Sequence, residues 1–511
     1  MTDSHQLYSV ESIREIEQTA LRTLPAFTLM QRAGKAAAML ALEMQRENDK
    51  TKPILVLSGP GNNGGDALEA AALLAESGCE VICLLTADPA TLPPDAQQAY
   101  AHAANKGIAF INLQHIDSIA QTEWSLIIDG LFGIGLARTI TGDIGQLIAT
   151  VNAMHAPVLA LDVPSGLNAD TGVVIGGVSG IAVRATSTLT FIGNKPGLHT
   201  CDGRDHAGKV SVAFLDISPE SFIPSAMVLN GIDTFSHALH ARQHNSHKGS
   251  YGDVAVLGGA HGMTGAVILS ARTAAKCGAG RVFVASIAGN PTWDTLQPEL
   301  MCRMASEIDF ASKTIVAGPG MGNSRESHDL LAKALAAKEL LVLDADALNL
   351  VAEEPAFRQK ISACRTSVLL TPHPLEAARL LGITTAEVQA DRIAAARKLA
   401  IMFNAIVILK GSGSIIAAPD GNIVINPTGN PALATAGSGD VLSGVCGALL
   451  AQRWPVWEAA LAAVWLHGAA ADELVTRGIG PVGLVASELI PETRTLLNRL
   501  INDHAFKSRP I

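Results

Sequence analysis

Two glycine-rich segments in the C-terminal half combine a lysine and an acid in a way that suits phosphoryl chemistry. Lys410-Gly411-Ser412-Gly413-Ser414 ends an apolar run, and Gly437-Ser438-Gly439-Asp440 opens a helical stretch. Glycines at a helix start expose backbone N–H groups that stabilise a phosphoryl group. A carboxylate beside them can take the proton from a hydroxyl that attacks phosphorus. The pattern predicts this role for Asp440; the alternative is that Asp440 caps the helix and Lys410 lies on the surface.

Three loops in the N-terminal half each follow an apolar run and combine glycines with an acidic residue. They span Gly59 to Asp66, Asp129 to Gly135 and Asp162 to Gly166. In an open α/β sheet, ligands lie beyond the carboxyl ends of the strands. If the three strands are neighbours, the loops converge on one pocket, although each could be a simple tight turn and Asp129 and Asp162 could cap helices.

The same loops permit two further interpretations. Gly59-x-Gly61-x-x-Gly64 matches the dinucleotide fingerprint, which alone is a weak indication. Asn63, Asp129 and Ser165 carry oxygen atoms, which hard cations prefer, but their spacing alone supports a cation only weakly.

For other residues at strand ends, a ligand contact and a structural role are about equally compatible with the sequence. These are His373 in the Thr371–Glu376 turn, Gly318 to Gly322, and Asp344-Ala345-Asp346. His240, His244 and His247 have loose metal-like spacing, but their linker context favours solvated side chains.

The order of elements predicts two consecutive α/β domains. Apolar runs at 54–57, 80–85, 125–128, 157–161, 186–192 and 209–215 alternate with helical or loop segments, which indicates a parallel sheet. The pattern weakens between about 217 and 250, and a second α/β series starts at Asp253. Within it, 414–418 and 423–426 are predicted to form a hairpin, and the closing part is helical.

Composition excludes several classes of protein. Hydrophobic residues make up 48% of the 511 residues and charged residues 16%, which is incompatible with a disordered chain. A net charge of −10 and 4% aromatic content argue against nucleic-acid binding. No apolar stretch is long enough for a membrane span. Seven cysteines without a Cys-x-x-Cys pair suit a reduced, cytoplasmic protein with no thiolate zinc site.

With these residues in hand, the whole chain resembles the bifunctional NAD(P)H-hydrate repair enzymes. In the first half, the matching segments are Leu29 to Gly34, Asn62 to Asp66, Asp129 to Gly133 and Asp162 to Gly166. In the second half, they are His247 to Gly252, Thr371 to Pro374, Lys410 to Ser414 and Gly437 to Asp440. The resemblance implies a Rossmann-like epimerase domain at 1–220 and a ribokinase-like dehydratase domain at 226–511.

The resemblance also implies the reaction. The first domain would interconvert the R and S hydrates of NADH or NADPH at C6. The second would dehydrate the S form with ADP or ATP and Mg²⁺, through a phosphorylated C6 hydroxyl. A cytoplasmic homo-oligomer acting on small molecules, without nucleic-acid or membrane partners, is expected.

Site residues follow from the resemblance by position. In the epimerase half, the implied hydrate-binding residues are Asn62, Asn63, Gly64, Gly65, Asp66, Gly133, Ile134, Gly135, Leu136, Ala137, Arg138, Thr139 and Asp162, with Asp162 also catalytic. Asn63, Asp129 and Ser165 would coordinate K⁺. In the dehydratase half, hydrate contacts are implied for Ala266, Gly322, His373 and Asp440, with Asp440 catalytic, and nucleotide contacts for Lys410, Gly411, Ser412, Gly413, Ser414 and Gly439.

Three rival functions compete with this one. A ribokinase-like small-molecule kinase fused to a nucleotide-binding regulatory domain would share the Gly437 to Asp440 segment. An NAD-dependent dehydrogenase would use the glycine fingerprint with Asp88 as the ribose-binding acid, but Pro60 and the Asn-Asn pair fit it poorly. A scaffold or RNA-binding module would have no catalytic site in the first half.

Overall fold

The computed structural model describes residues 4–46, 51–289, 293–363 and 368–507. The chain divides into two compact units, Met1–Val228 and Leu229–Ile511. None of the helices within the described ranges combines the length and apolar character that a bilayer crossing requires.

The first unit is built on a seven-stranded sheet whose paired strands all run parallel, in the order β3-β2-β1-β4-β5-β6-β7. Its strands are β1 (Ile54–Ser58), β2 (Val81–Leu85), β3 (Ala109–Asn112), β4 (Leu126–Gly130), β5 (Val158–Leu161), β6 (Ser187–Phe191) and β7 (Lys209–Ala213). Its helices are α1 (Val10–Leu21), α2 (Thr28–Arg46), α3 (Asn62–Glu76), α4 (Pro94–Asn105), α5 (Ile116–Gln121), α6 (Gly142–Asn152) and α7 (Gly203–His206). Buried apolar clusters cover both faces of the sheet, as a parallel sheet requires.

The second unit contains a ten-stranded mixed sheet in the order β11-β10-β9-β12-β13-β14-β15-β16-β17-β8. Its strands are β8 (Met227–Leu229), which contains the boundary between the units, β9 (Asp253–Gly258), β10 (Arg281–Ser286), β11 (Met301–Met304), β12 (Thr314–Ala317), β13 (Leu341–Leu343), β14 (Val368–Leu370), β15 (Ile406–Leu409), β16 (Ile415–Ala417) and β17 (Ile423–Ile425). The strands from β11 to β15 pair in parallel, and β15, β16 and β17 pair antiparallel.

Eleven helices of the described ranges belong to this unit. They are α8 (Ile232–Phe235), α9 (Thr264–Lys276), α10 (Arg325–Ala336), α11 (Ala345–Glu353), α12 (Pro355–Ser362), α13 (Pro374–Leu381), α14 (Thr385–Ala390), α15 (Arg392–Phe403), α16 (Ser438–Ala451), α17 (Val456–Thr476) and α18 (Ala486–Lys507). The predicted architecture is confirmed as two consecutive α/β units, the first built on a parallel sheet and the second on a mixed sheet.

Three strands were not predicted, and all three lie at or near sheet edges. β3, β8 and β11 are three or four residues long and only partly buried, so they lack the continuous apolar run that marks a buried strand. The hairpin prediction is confirmed by the antiparallel pairing of β16 with β17.

One local prediction is wrong. Asn62 to Asp66 was assigned to a glycine-rich loop, but these residues form the first turn of α3, with Gly61 as its N-cap. The glycines there permit close packing rather than a loop, because a Cβ on Gly64 would lie 2.1 Å from the Gly59 carbonyl oxygen.

We expect Gly59→Ala to destabilise the protein by about 2 kcal/mol, within the range for overpacked interiors. A Cβ on Gly59 would lie 1.7 Å from the carbonyl oxygen of Leu131, so the loops after β1 and β4 would have to separate. Urea-induced unfolding of the full chain measures the change. Gly135→Ala is the matched control, because a Cβ there has no neighbour within 4 Å; equal effects of the two substitutions would contradict the interpretation.

Candidate functional sites

The first unit contains a cavity of 720 Å³ at the carboxyl ends of its central strands. β5, β4 and β1 are consecutive in the sheet, so the three loops predicted to converge do so. The lining residues are Ile13, Arg14, Glu17, Leu21, Leu29, Met30, Ala33, Pro60, Gly61, Asn62, Asn63, Asp66, Asp95, Leu131, Phe132, Gly133, Ile134, Gly135, Leu136, Ala137, Arg138, Asp162, Phe191, Ile192 and Leu215.

Most of the residues predicted for this site line the cavity. Asn62, Asn63, Asp66, Asp162 and all of 133–138 do so. Gly64 and Gly65 are instead buried inside α3, and Thr139 lies against Gly176. The hydrate-binding roles of all these residues, those that line the cavity and these three alike, remain predictions.

Asp162 is held in place by a buried ion pair. The ammonium of Lys195, which is fully buried, donates to Asp162 Oδ1 at 2.6 Å, to Thr190 Oγ1 at 2.7 Å and to the Phe191 carbonyl at 2.7 Å. The Ile134 N–H donates to Asp162 Oδ2 at 3.3 Å. Asp162 has a left-handed backbone (φ 66°), an uncommon conformation that directs this residue away from the strand it follows. It is therefore not a helix cap but a fixed carboxylate in the cavity wall.

The cavity also contains acids whose pKa is raised. Burial raises the pKa of Glu17, and repulsion from Asp162 raises it further. The pKa of Asp66 lies well above its ordinary value because of burial and then the negative charges of Asp162, Glu17 and Asp95. The site thus combines an ion-paired carboxylate, Asp162, with a carboxyl group, Asp66, whose pKa is raised, and carboxyl groups in such different environments suit acid–base chemistry.

A second cluster beside the cavity holds the residues predicted to bind K⁺. Asp129 is fully buried and accepts from the Ser165 hydroxyl at 2.7 Å and the Ser165 N–H at 2.9 Å. Burial raises the pKa of Asp129 to about 6, although these hydrogen bonds oppose the shift. Asn63 donates from Nδ2 to the Leu161 carbonyl at 3.2 Å, while its Oδ1 is buried and accepts no hydrogen bond within the described residues.

Sequence reasoning missed Lys195 and the α1 residues Arg14 and Glu17. The available signal for Lys195 was its position in Asn194-Lys195-Pro196-Gly197, just after another strand of the same sheet. The helix α1 carried only its amphipathic pattern, so its contribution to the cavity was not visible in the sequence.

The second constellation lies at the carboxyl ends of β13, β14 and β15, which are neighbours. Lys410, which follows β15, donates from Nζ to Oδ1 of Asp344 at 2.7 Å, and Asp344 follows β13. Burial favours the neutral amine of Lys410, but the carboxylates of Asp344, Glu376 and Asp440 outweigh it and raise the pKa. Lys410 is therefore part of a charged cluster rather than a solvated surface residue.

Asp440 occupies the first turn of α16 and does not cap it. The N-cap is Gly437, whose φ of 88° is readily adopted only by glycine. A Cβ placed on Gly437 would lie 3.9 Å from Asp440 Oδ2, so the carboxylate stands close to the glycine turn. Burial and then repulsion from Asp344 raise the pKa of Asp440 to about 7, a value suited to a general base near neutral pH.

His373 is the N-cap of α13. Its Nδ1 accepts from the backbone N–H groups of Leu375 at 3.1 Å and Glu376 at 3.3 Å, while Glu376 Oε2 accepts from the His373 N–H at 2.7 Å. Burial and the nearby Lys410 lower the pKa of His373, and burial raises that of Glu376 to about 7. The histidine therefore has a structural role, and its half-exposed ring leaves a ligand contact open.

The remaining predicted residues lie on the neighbouring loops. Ala266 is in the first turn of α9, after β9, and Gly322 follows β12 and donates its N–H to Asp346 Oδ2 at 2.8 Å. The 410–414 loop is braced from behind by Arg392, another residue that sequence reasoning missed. Its buried guanidinium donates to the carbonyls of Ser412, Leu409 and Lys410.

Two alternative sites are not supported by the geometry. His240, His244 and His247 are exposed, and within the described ranges no group of His, Cys, Asp or Glu side chains forms a metal cluster. Asp88, the candidate ribose-binding acid of a dehydrogenase, accepts from the Ala90 N–H and caps a short exposed turn.

Fold and sites together define a two-unit α/β protein with an acid–base cavity in one unit and a glycine-turn site in the other. A model described as YjeF-related protein N-terminus matches residues 26–197, and one described as NAD(P)H-hydrate dehydratase matches 254–492. A bifunctional NAD(P)H-hydrate repair enzyme of Coxiella burnetii is 39% identical over 96% of this chain and 99% of its own length. The chain belongs to the bifunctional NAD(P)H-hydrate repair family.

Further relatives cover either the whole chain or its second half. The bifunctional NAD(P)H-hydrate repair enzyme of Escherichia coli is 35% identical over 98% of this chain and 95% of its own length. An ADP-dependent (S)-NAD(P)H-hydrate dehydratase of Neisseria meningitidis is 44% identical over 52% of this chain and 92% of its own.

We expect Lys195→Met to destabilise the protein by about 3 kcal/mol, because it leaves the Asp162 carboxylate without its buried partner. The double variant Lys195→Met/Asp162→Asn should recover part of that loss, since it removes both charges. Urea-induced unfolding of the full chain tests both. If the double variant were as unstable as the sum of the two single variants, the ion pair would not be the source of the loss.

Proposed function

We propose that this protein repairs hydrated NADH and NADPH. The domain at 1–220 interconverts the R and S hydrates at C6, and the domain at 226–511 dehydrates the S hydrate with ADP or ATP. The observation that carries the proposal is the position of Asp440, a carboxylate with a pKa of about 7 in the first turn of a helix that opens on Gly437 and Gly439. The same proposal places the enzyme in the cytoplasm as an assembly of several copies.

The second domain activates a poor leaving group. Asp440 removes the proton of the C6 hydroxyl, whose oxygen attacks the terminal phosphorus of ADP or ATP. The phosphoanhydride P–O bond breaks, and AMP or ADP leaves. The backbone N–H groups at the start of α16 offset the charge that grows on the phosphoryl oxygens. Phosphate then leaves with the C–O bonding electrons while the ring nitrogen donates its lone pair, and loss of a ring proton restores the dihydronicotinamide. Gly439 and the 410–414 loop hold the nucleotide, and Ala266, Gly322 and His373 hold the hydrate.

The first domain needs proton transfer without phosphoryl transfer. Breaking and re-forming the C6–O bond requires a group that gives a proton to the leaving oxygen and one that takes a proton from the incoming water. Asp162 is assigned this proton movement because it is a fixed carboxylate of the cavity. Asn62 to Asp66 and 133–139 would hold the substrate around it.

A potassium ion fits the Asn63, Asp129 and Ser165 cluster. The buried Oδ1 of Asn63 lacks a donor within the described residues, and Asp129 is a buried carboxylate whose ionised form a cation would stabilise. K⁺ would there supply a fixed positive charge that holds the loops after β1, β4 and β5 together. Mg²⁺ would accompany the nucleotide phosphates in the second domain and neutralise part of their charge.

We expect the full chain to recover all of an R and S hydrate mixture as absorbance at 340 nm when ADP and Mg²⁺ are present, and none without nucleotide. Asp440→Asn should reduce recovery by at least about 10³-fold, because it lacks the base. Asp162→Asn should recover only the S fraction, because the R hydrate is no longer converted. A stable phosphorylated product would instead indicate a kinase.

The pH dependence of this recovery follows from the sign of the Asp440 shift. Because Asp440 acts in its ionised form and its pKa is about 7, the rate should rise with pH through about 7 and level off above it. A rate that is flat from pH 5 to 8 would contradict the general-base role.

We expect K⁺ to raise the thermal unfolding temperature of the full chain by about 2 °C or more relative to choline at equal ionic strength. Because the pKa of folded Asp129 is about 6, its ionisation without a cation costs stability as pH rises from about 4 to 6. The K⁺ effect should therefore be larger at pH 7 than at pH 5, and Asp129→Asn should remove it. Asp88→Asn is the control; if it lost the K⁺ effect equally, or if wild type showed none, the site would be refuted.

A further inference from the structure

The Lys410 ammonium is paired with the Asp344 carboxylate, and the carboxylates of Glu376 and Asp440 act on it as well. Its Nζ is 2.7 Å from Asp344 Oδ1, and the Asp344 side chain is 2% exposed. A Cβ on Gly439 would lie 3.4 Å from Lys410 Nζ and 3.8 Å from Asp344 Oδ2, so the ion pair stands against the residue that precedes Asp440. The pair therefore occupies the base of the glycine turn.

We propose that Lys410 is a positioning residue for Asp440: its ammonium, held in place by Asp344, sets a positive charge against the glycine turn from which the Asp440 carboxylate acts. This goes beyond the nucleotide-binding role expected for Lys410, and it rests on the proposed dehydratase function. It assigns to Asp344 the role of fixing the lysine.

Within the described residues, the charged groups that act on Asp440 are Asp344, Lys410 and Asp346. Asp344 and Asp346, at the end of β13 and the start of α11, disfavour its ionised form, and Lys410 favours it. Glu376, at the start of α13, raises the pKa of Lys410, whereas burial and then Lys410 lower the pKa of His373. In this part of the described structure, Lys410 is thus the cation that lowers the pKa of Asp440, whereas burial and two carboxylates raise it.

The anchoring explains why the ammonium is suited to this task. A lysine that is free to rotate would turn towards an incoming phosphate, but Lys410 already has a carboxylate partner that is itself buried. The backbone N–H groups of the turn remain available for the phosphoryl group. An ion pair fixed before the ligands arrive provides a constant potential at Asp440, which is what a general base needs.

Substituting Asp344 and Lys410 one after the other separates the effects of their two charges on Asp440. Asp344→Asn removes a repelling carboxylate and keeps the lysine, so the pH at which ADP-dependent recovery reaches half its maximum should fall by about one unit. Adding Lys410→Met to that background removes the attracting ammonium, and the midpoint should return by about one unit towards the wild-type value. Lys410→Arg, which keeps the charge, should retain the wild-type midpoint.

The measurement is kcat and the KM for ADP of the full chain between pH 5 and 9, with S hydrate and ADP, followed at 340 nm. The two Asp344→Asn chains avoid an unpaired buried carboxylate, so they test the proposal even if Lys410→Met alone fails to fold. The proposal would be overturned if Asp344→Asn had the same pH midpoint with and without Lys410→Met. It would also be overturned if these substitutions lowered kcat and left the pH midpoint unchanged. A higher KM for ADP with an unmoved midpoint would make Lys410 a phosphate ligand instead. A wild-type chain with no recovery would refute the proposed function, and this inference with it.

Discussion

Parallel pairing of the central strands is the constraint on which both sites depend. In each sheet, neighbouring strands end at the same edge, so residues far apart in sequence are brought together there. In the first unit, this brings together Asn63 at the start of α3, Asp129 near the end of β4 and Asp162 just after β5. In the second, it brings Asp344, His373 and Lys410 together. Because the strands are buried on both faces, a small shift of one strand would disturb the core and the site at once.

Both units place a lysine–carboxylate pair at or beside the carboxylate that we propose to react. Lys195 holds Asp162 itself, whereas Lys410 holds Asp344, which stands next to Asp440. Burying an isolated charge is very unfavourable, and a pair reduces that cost without making it a large source of stability. The pairs are better explained by the local potential they create. In the first unit the lysine contacts the proposed catalytic carboxylate, Asp162, directly, and in the second it lies near the proposed one, Asp440.

The sequence predicted what local patterns encode and missed what only the assembled fold brings together. Apolar runs identified the buried strands such as β1 and β9, and the glycine segments identified the turn before Asp440, because both depend on nearby residues. Edge strands such as β3 were missed because a half-buried strand has no continuous apolar run. Lys195 was missed because its role depends on Asp162, 33 residues away and on another strand end. The start of α3 at Asn62 was missed because its glycines suggested a loop, while their actual role is close packing.

The difference between the two sites follows from the difference between the two reactions. Interconverting two epimers leaves the same bonds in place, so this cavity needs only to give and take a proton. Asp66, whose pKa is raised, and the ion-paired Asp162 both line it. Removing water needs a better leaving group than hydroxide, so the second site must hold a nucleotide as well as a base. That requirement accounts for the glycine turn at α16 and for an acid whose pKa lies near 7 rather than near its ordinary value. A single site could not serve both epimerisation and dehydration. A turn that binds phosphate would also hold a reactive phosphoryl group beside a hydrate that needs only to be inverted at C6.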